Sequence, residues 1–137
     1  MATEPYLFFD GRCEEALNFY RQAIGAEVKA MIRFGENPDG MQGPPGNEDK
    51  ILHSLFTVGG SSIMASDGHC AGKPSFQGFG LALSAPDEAG AERHFNALAD
   101  GGTVSQPLVK TFFSPKFGMV ADRFGVMWMV LVQKQDG

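Results

Sequence analysis

The second half of this 137-residue chain repeats the first half at a spacing of 76 positions. Four matched pairs carry the repeat: Phe19 and Phe95, Ala23 and Ala99, Gly25 and Gly101, Val28 and Val104. A fixed internal period limits the possible folds strongly, because each copy must form the same structural unit. Each half reads as a strand, a helix ended by glycine, and three further strands. The repeat therefore predicts an α+β fold in which two βαβββ modules form a cupped mixed sheet around a cavity.

Composition and charge restrict the class of protein. Apolar residues make up 43% of the chain and charged residues 20%, which is typical of a domain with a packed core. The net charge is −5, and no run of Lys or Arg occurs, so we expect no nucleic-acid partner. No apolar stretch has the length of a membrane span, and the N-terminus lacks the pattern of a signal peptide. We therefore expect a cytoplasmic protein without membrane contact, whose two cysteines are free thiols.

The first module is marked by one helical pattern and four strand patterns. Apolar residues at helical spacing predict a helix over Cys13–Ile24, and Gly25 is a suitable end for it. Period-two alternation, short apolar runs and the Gly59-Gly60 turn predict strands over residues 5–9, 27–34, 51–58 and 61–66. Residues 35–49 form a long loop rich in Gly and Pro, which either covers a site or has no role.

The second module repeats this order. A helix is predicted over residues 86–100, with Pro86 in its first turn and Gly101 after its end. Pro107 lies within one of the strands and indicates an edge strand or a bulge there. The predicted strands cover residues 78–84, 104–113, 117–122 and 126–133.

Several of these segments resemble a known superfamily. The segments are Pro5-Tyr6-Leu7-Phe8-Phe9, the Asp10-Gly11 turn, the helix Glu14-Glu15-Ala16-Leu17-Asn18-Phe19-Tyr20, His53, Phe117-Gly118-Met119 and Asp122-Arg123-Phe124-Gly125-Val126-Met127-Trp128-Met129. Together they resemble the vicinal oxygen chelate superfamily of glyoxalases, bleomycin-resistance proteins and dioxygenases, and within it the PhnB-like branch. The resemblance implies one glyoxalase-like domain over residues 1–137, with module one at 4–67, a linker at 68–77 and module two at 78–134. It also implies a homodimer, in some relatives with modules exchanged between subunits.

The resemblance also indicates where a metal would bind. In metal-using members the first strand of each module contributes His or Gln, and the last strand contributes Glu. The equivalent positions here are Pro5, Met64, Leu81 and Met129. None supplies the imidazole nitrogen or carboxylate oxygen that such a divalent cation prefers, and a shift of one residue brings in only the phenol of Tyr6. We therefore expect no metal and no cofactor.

Alternation along the strands predicts an apolar, methionine-rich cavity with a few polar groups. Such a lining is typical of small-molecule sites, although the methionines are also able to fill the cavity completely. The predicted ligand-binding residues are Met31, Arg33, His53, Leu55, Ser62, Met64, Ser66, Met127 and Met129.

Among the titratable residues, His53 is the candidate catalytic acid or base, because imidazole titrates near neutral pH. A structural role for this strand histidine is the alternative. We expect His94 on the surface, no site at His69-Cys70, and structural roles for Cys13, Asp122 and Trp128.

Three hypotheses about function follow. The first is a metal-independent small-molecule binding protein for an apolar or aromatic ligand, as in the resistance proteins of the superfamily. The second is a metal-free enzyme that uses His53 and a serine, and the third is a filled domain that acts through its dimer surface. A metal-dependent lyase or dioxygenase-like enzyme would apply if the ligand positions are assigned wrongly. Some relatives are named methyltransferases, but the chain lacks the glycine-rich loop between strand and helix of a Rossmann-type methyltransferase.

Overall fold

The structure, a computed structural model, describes residues 1–37, 46–68 and 74–133. The chain divides into two compact units, residues 1–74 and 75–137. The first unit contains β1 (Tyr6–Phe8), α1 (Cys13–Ile24), β2 (Glu27–Arg33), a 3-10 turn (Phe34–Glu36), β3 (Ile51–Val58) and β4 (Ser61–Ser66). The second unit contains β5 (Leu81–Ala85), α2 (Glu88–Ala99), β6 (Thr103–Val109), β7 (Phe117–Ala121) and β8 (Met127–Val132).

Each unit forms a four-stranded mixed sheet with the same topology. The strand order is β1-β4-β3-β2 in the first sheet and β5-β8-β7-β6 in the second. The first strand of each unit pairs in parallel with the last, and the other pairs are antiparallel. The predicted α+β class with two βαβββ modules is therefore confirmed.

Three element boundaries in the second unit differ from the sequence prediction by two residues or more. Helix α2 begins at Glu88, two residues later than expected, because the Asp87 carboxylate caps it by accepting from the Gly90 N–H at 2.7 Å. Strand β5 begins at Leu81 instead of residue 78. Strand β6 ends at Val109, because the chain then turns and the Thr111 N–H donates to the Ser114 carbonyl at 2.8 Å.

The core of the first unit lies between α1 and one face of its sheet. The buried face of α1 consists of Cys13, Ala16, Leu17, Tyr20 and Ile24. The Tyr20 ring stacks on Phe56 of β3 with centroids 5.8 Å apart. The expected packing role of Cys13 is confirmed, since its side chain is fully buried.

The core of the second unit depends on one buried carboxylate. Asp122 accepts hydrogen bonds from the backbone N–H groups of Phe124 and Val126, and from Nε1 of Trp128 at 2.9 Å. Trp128 is buried, as is Phe95 on the inner face of α2. The expected structural roles of Asp122 and Trp128 are therefore confirmed.

Candidate functional site on the far face of the first sheet

The side of the first sheet turned away from α1, here called the far face, collects most of the predicted site residues of this unit. Alternate residues of β3 and β4 face α1 and are buried, among them Ser54, Phe56 and Ala65. The residues between them lie on the far face. In the strand register Leu55 pairs with Met64 and Thr57 with Ser62, so the far face carries His53, Leu55, Thr57, Ser62, Met64 and Ser66.

Two predicted residues lie on the opposite side of the sheet. Met31 pairs with Ser54, which is fully buried on the side of α1. A second register shift follows between Ile32 and Arg33, and Arg33 pairs with the fully buried Ile51. The expectation that Met31 and Arg33 share the face of His53 is therefore wrong. The physical reason is a register shift between Val28 and Ala30, which reverses the alternation along the rest of β2.

Arg33 is also held by an ion pair. Its guanidinium donates to both carboxylate oxygens of Glu14 on α1, at 3.0 and 2.6 Å, and to the Asp49 carbonyl at 2.8 Å. These hydrogen bonds lower the pKa of Glu14 and raise the pKa of Arg33. The role of Arg33 is thus to tie the end of β2 to the helix.

Strand β1 adds two residues that the sequence analysis did not assign to the site. Tyr6 pairs with Met64 and Phe8 pairs with Ser66, so both rings lie on the far face. Tyr6 is 37% exposed and Phe8 is 53% exposed. Their rings are stacked, with centroids 4.9 Å apart and planes inclined by 20°. Together they form an aromatic surface at one edge of the sheet.

Tyr6 and His53 form the polar centre of this face. The Tyr6 hydroxyl lies 3.0 Å from Nδ1 of His53, and the two rings have centroids 5.8 Å apart. Phe8 and Met64 lie beside Tyr6. The run Tyr6-Leu7-Phe8-Phe9 is apolar throughout, so no alternation in the sequence separates the exposed Tyr6 and Phe8 from the buried Leu7 and Phe9.

The same register shows which residues of the first strands lie beside two of the positions that the resemblance implies for a metal. Tyr6 lies beside Met64, and Ala82 lies beside Met129. Tyr6 and Ala82 each follow by one residue a position that the resemblance implies, Pro5 and Leu81. Their phenol and methyl group, like the two thioethers, are neither imidazole nor carboxylate. Among the described residues no group of three or more His, Cys, Asp and Glu side chains is placed to hold a metal ion.

The second sheet has an equivalent face, described here by itself. Met127, Met129 and Leu131 alternate along β8 with buried residues that face α2. Across the sheet Met119 pairs with Met129, and Phe117 pairs with Leu131. The predicted residues Met127 and Met129 therefore lie on the apolar far face of the second unit. That the two modules line one cavity remains a prediction.

Two concavities lie elsewhere, one in each unit. A space of about 560 Å³ lies at the start of α2, where Lys110, Phe112 and Glu88 contribute to its lining. A space of about 400 Å³ lies at the start of α1, where Glu14 and Lys50 contribute. Neither is lined by a residue of the predicted site.

The remaining candidates have no place in the site. His94 is half-buried on α2, beside the buried Phe95, rather than freely exposed. His69-Cys70 lies outside the described residues. Residues 38–45 of the predicted long loop also lie outside them. Burial raises the pKa of the Cys13 thiol to about 12.

Neither of the helices in the described ranges is long and apolar enough to cross a membrane.

Comparison with known proteins agrees with this architecture. The sequence profile of the family described as 3-demethylubiquinone-9 3-methyltransferase matches residues 2–131. The chain belongs to this family. The family is the PhnB-like branch of the glyoxalase, bleomycin-resistance and dioxygenase superfamily, so the resemblance seen in the sequence is confirmed.

Relatives of known sequence or structure cover nearly the whole chain. Protein YjdN of Escherichia coli K12 is 37% identical over 147 residues, which cover 99% of this chain and 98% of the relative. The crystal structure of PA1353 from Pseudomonas aeruginosa is 43% identical, with a TM-score of 0.87 over 98% of this chain and 99% of that one. A PhnB protein of Bacillus cereus is 29% identical, with a TM-score of 0.81 over 96% of this chain and 99% of that one.

A more distant structure has the same fold. The fosfomycin resistance protein FosX of Listeria monocytogenes is 10% identical, with a TM-score of 0.66 over 99% of this chain and 95% of that one. This likeness concerns the glyoxalase-like fold alone.

Proposed function

We propose that this PhnB-like protein binds an apolar or aromatic small molecule, without a metal ion, on the far face of its first sheet. One observation carries the proposal: the half-exposed stack of Tyr6 and Phe8 lies beside Met64 and the Tyr6–His53 hydrogen bond. A mainly apolar surface with few converging polar groups is the usual form of a small-molecule site.

The chemistry of these side chains suits a flat ligand. Aromatic rings prefer offset stacking or edge-to-face contact, and each such pair contributes about 0.5–1.5 kcal/mol beyond the buried area. Methionine adapts its shape to a ligand and makes favourable contacts between sulfur and aromatic rings. Tyr6, Phe8 and Met64 together therefore favour an aromatic ligand over a sugar or a polar peptide.

The donor set supports binding without metal. Met64 stands at a position where the resemblance implies a hard ligand in metal-using members, and Tyr6 lies beside it in the strand register. A neutral phenol and a thioether are poor ligands for Ni, Zn, Mn or Fe(II) in a site of this type. We therefore propose a ligand held by packing and hydrogen bonds.

Methyl transfer, which the family's description names, is a less suitable function for this chain. A Rossmann-type methyltransferase needs a glycine-rich loop that joins a strand to a helix. In this chain Gly78-Phe79-Gly80 precedes the strand β5, and Asp10-Gly11 is the turn between β1 and α1. The test is a direct assay for tight binding of S-adenosylmethionine, which we expect to be negative.

A second candidate function rests on the Tyr6–His53 pair. The hydrogen bond at Nδ1 orients the imidazole ring, as in many catalytic histidines. His53 would then act as an acid or base on a bound substrate. Loss of turnover in His53→Ala with unchanged ligand affinity would favour this enzyme over a binding protein.

A thermal-shift screen with a library of aromatic fragments tests the main proposal. A compound that binds the native state raises the apparent stability. We expect Phe8→Ala to abolish the shifts produced by aromatic compounds. Phe112→Ala is the matched control, since Phe112 is 88% exposed in the second unit and should leave the shifts unchanged. Equal shifts in wild type and Phe8→Ala would contradict binding at this face.

We also propose a homodimer, as the resemblance implies, and a cytoplasmic location. Light scattering on the purified chain tests the dimer, and a mass of one chain would contradict it.

A further inference from the structure

We infer that the ligand is an uncharged aromatic compound with a hydroxyl group, in the class of phenols, whose oxygen binds the Tyr6–His53 pair while its ring packs on Phe8. The inference rests on the proposed function, because it names the chemistry of the ligand of that same face. Three observations support it: the hydrogen-bond logic of the pair, the position of the aromatic surface and the absence of Lys and Arg from the described far face of β1, β3 and β4.

The hydrogen-bond logic follows from the atoms at the contact. If the Tyr6 hydroxyl donates to Nδ1 of His53, the imidazole hydrogen is on Nε2, which is then a donor. The Tyr6 oxygen still has a lone pair that accepts. If Nδ1 donates instead, Nε2 is an acceptor and the Tyr6 hydroxyl is a donor. A hydroxyl both donates and accepts, so it satisfies the pair in either tautomer.

The aromatic surface is next to this polar pair. The Tyr6 ring contacts both His53, at a centroid distance of 5.8 Å, and Phe8, at 4.9 Å. A ligand whose polar atom binds the pair therefore has its hydrocarbon part against Phe8 and Met64. This arrangement fits a hydroxyl attached directly to a ring.

The charges of the first unit favour a neutral ligand. The cations of β2 are Lys29 and Arg33, and both are paired with carboxylates, Lys29 with Glu27 at 2.7 Å and Arg33 with Glu14 at 2.6 Å. On β1, β3 and β4 the described far face includes no Lys or Arg, and on β2 Glu27, which lies opposite Thr57, holds Lys29 in an ion pair. A carboxylate or phosphate bound there would lose its hydration without gaining an ion pair, which is unfavourable.

A comparison of three naphthalenes of similar size tests the inference. The probes are 2-naphthol, 2-methylnaphthalene and 2-naphthoate, titrated calorimetrically against the wild-type chain. We expect 2-naphthol to bind about tenfold more tightly than 2-methylnaphthalene, because polar groups of the site lose their partner in the methyl compound. We expect 2-naphthoate to bind less tightly than 2-naphthol.

Variants of Tyr6 and His53 test whether this pair causes the preference for 2-naphthol over 2-methylnaphthalene. The double variant Tyr6→Phe/His53→Leu should bind both neutral probes equally, and Tyr6→Phe alone should reduce the preference for 2-naphthol. Phe8→Ala, the control, should weaken both neutral probes by a similar factor and leave their ratio unchanged. If the double variant does not fold, as judged by circular dichroism, Tyr6→Phe alone decides, and an unchanged preference in it overturns the inference.

The outcomes separate this inference from the proposed function. Equal wild-type affinities for 2-naphthol and 2-methylnaphthalene, or tighter binding of 2-naphthoate, overturn the phenol inference and leave aromatic binding supported. No binding of any of the three probes counts against both.

Discussion

Cys13 shows how burial sets the chemistry of one side chain. Its thiol is fully buried, and burial raises its pKa from 9.0 to about 12. The native state therefore keeps the proton between these two values, where the unfolded chain loses it. Because the native state then binds more protons than the unfolded state, the free energy of unfolding falls as the pH rises above 9.0.

We expect this group to remove about 1.4 kcal/mol of stability per pH unit above pH 9. Urea unfolding of the wild type and Cys13→Ala at pH 8.5, 9.5 and 10.5 measures the effect. The variant loses packing, so its stability is lower throughout, and only the difference in pH slope is compared. If the free energy of unfolding has the same pH slope in the wild type and in Cys13→Ala, burial does not raise the pKa of Cys13 in the native protein.

At the scale of elements, Asp67 completes the start of α1. The residue before this helix, Arg12, provides no side-chain cap. Asp67, at the end of β4, instead accepts from the N–H groups of Gly11 and Cys13 through Oδ1 and from Ile51 through Oδ2. Both carboxylate oxygens of Asp67 are thus needed to accept from these backbone N–H groups. The buried carboxylate in this way joins β3 and β4 to the helix.

Asp67→Asn should destabilise the chain by about 1–3 kcal/mol, since an amide N–H₂ would then face a backbone donor. Asp87→Asn is the matched control, because Asp87 caps α2 through Oδ1 alone and asparagine caps a helix equally well. Urea denaturation of both variants gives the comparison. A similar loss in the two would mean that the second oxygen of Asp67 contributes little.

The packing of α2 on its sheet depends on Gly118 in β7. A Cβ at this position would lie 2.7 Å from a ring carbon of Phe95 and 3.0 Å from the Gln106 carbonyl oxygen. Gly118→Ala should therefore cost about 1–3 kcal/mol through overpacking. In Gly60→Ala the new methyl group meets no described atom within 4 Å, and we expect almost no change. Thermal unfolding of the two variants measures the difference.

The strands show how far local pattern determines structure. Helix α1 and strands β3 and β4 have the predicted bounds, because apolar periodicity and glycine turns mark both ends. The face of Met31 was predicted wrongly, since a bulge in β2 changes the alternation without a marker such as proline or glycine. Alternation therefore predicted the face of each residue on the regular strands β3 and β4 and failed on the irregular strand β2.

At the scale of the whole chain, the repeat extends to this irregularity. The register shift between Val28 and Ala30 in β2 has its counterpart between Val104 and Gln106 in β6, at the same spacing as the sequence repeat. The repeat therefore predicts the architecture well. It predicts the site less well, because the aromatic residues Tyr6 and Phe8 of β1 correspond to Ala82 and Ser84 of β5.

The side chains of both modules lead to a prediction about metals. The resemblance implies hard ligands at Met64 and Met129 and on the first strand of each module, and neither these thioethers nor Tyr6 and Ala82 beside them supply any. We expect the untagged protein to retain less than about 0.1 equivalent of Ni, Zn, Mn or Fe after dialysis, as measured by plasma mass spectrometry. Its melting temperature should not change with EDTA or with added Ni²⁺ or Zn²⁺, because only a ligand of the native state shifts it. One retained equivalent, with a melting temperature lowered by EDTA, would contradict metal-free binding and favour a lyase or dioxygenase-like function.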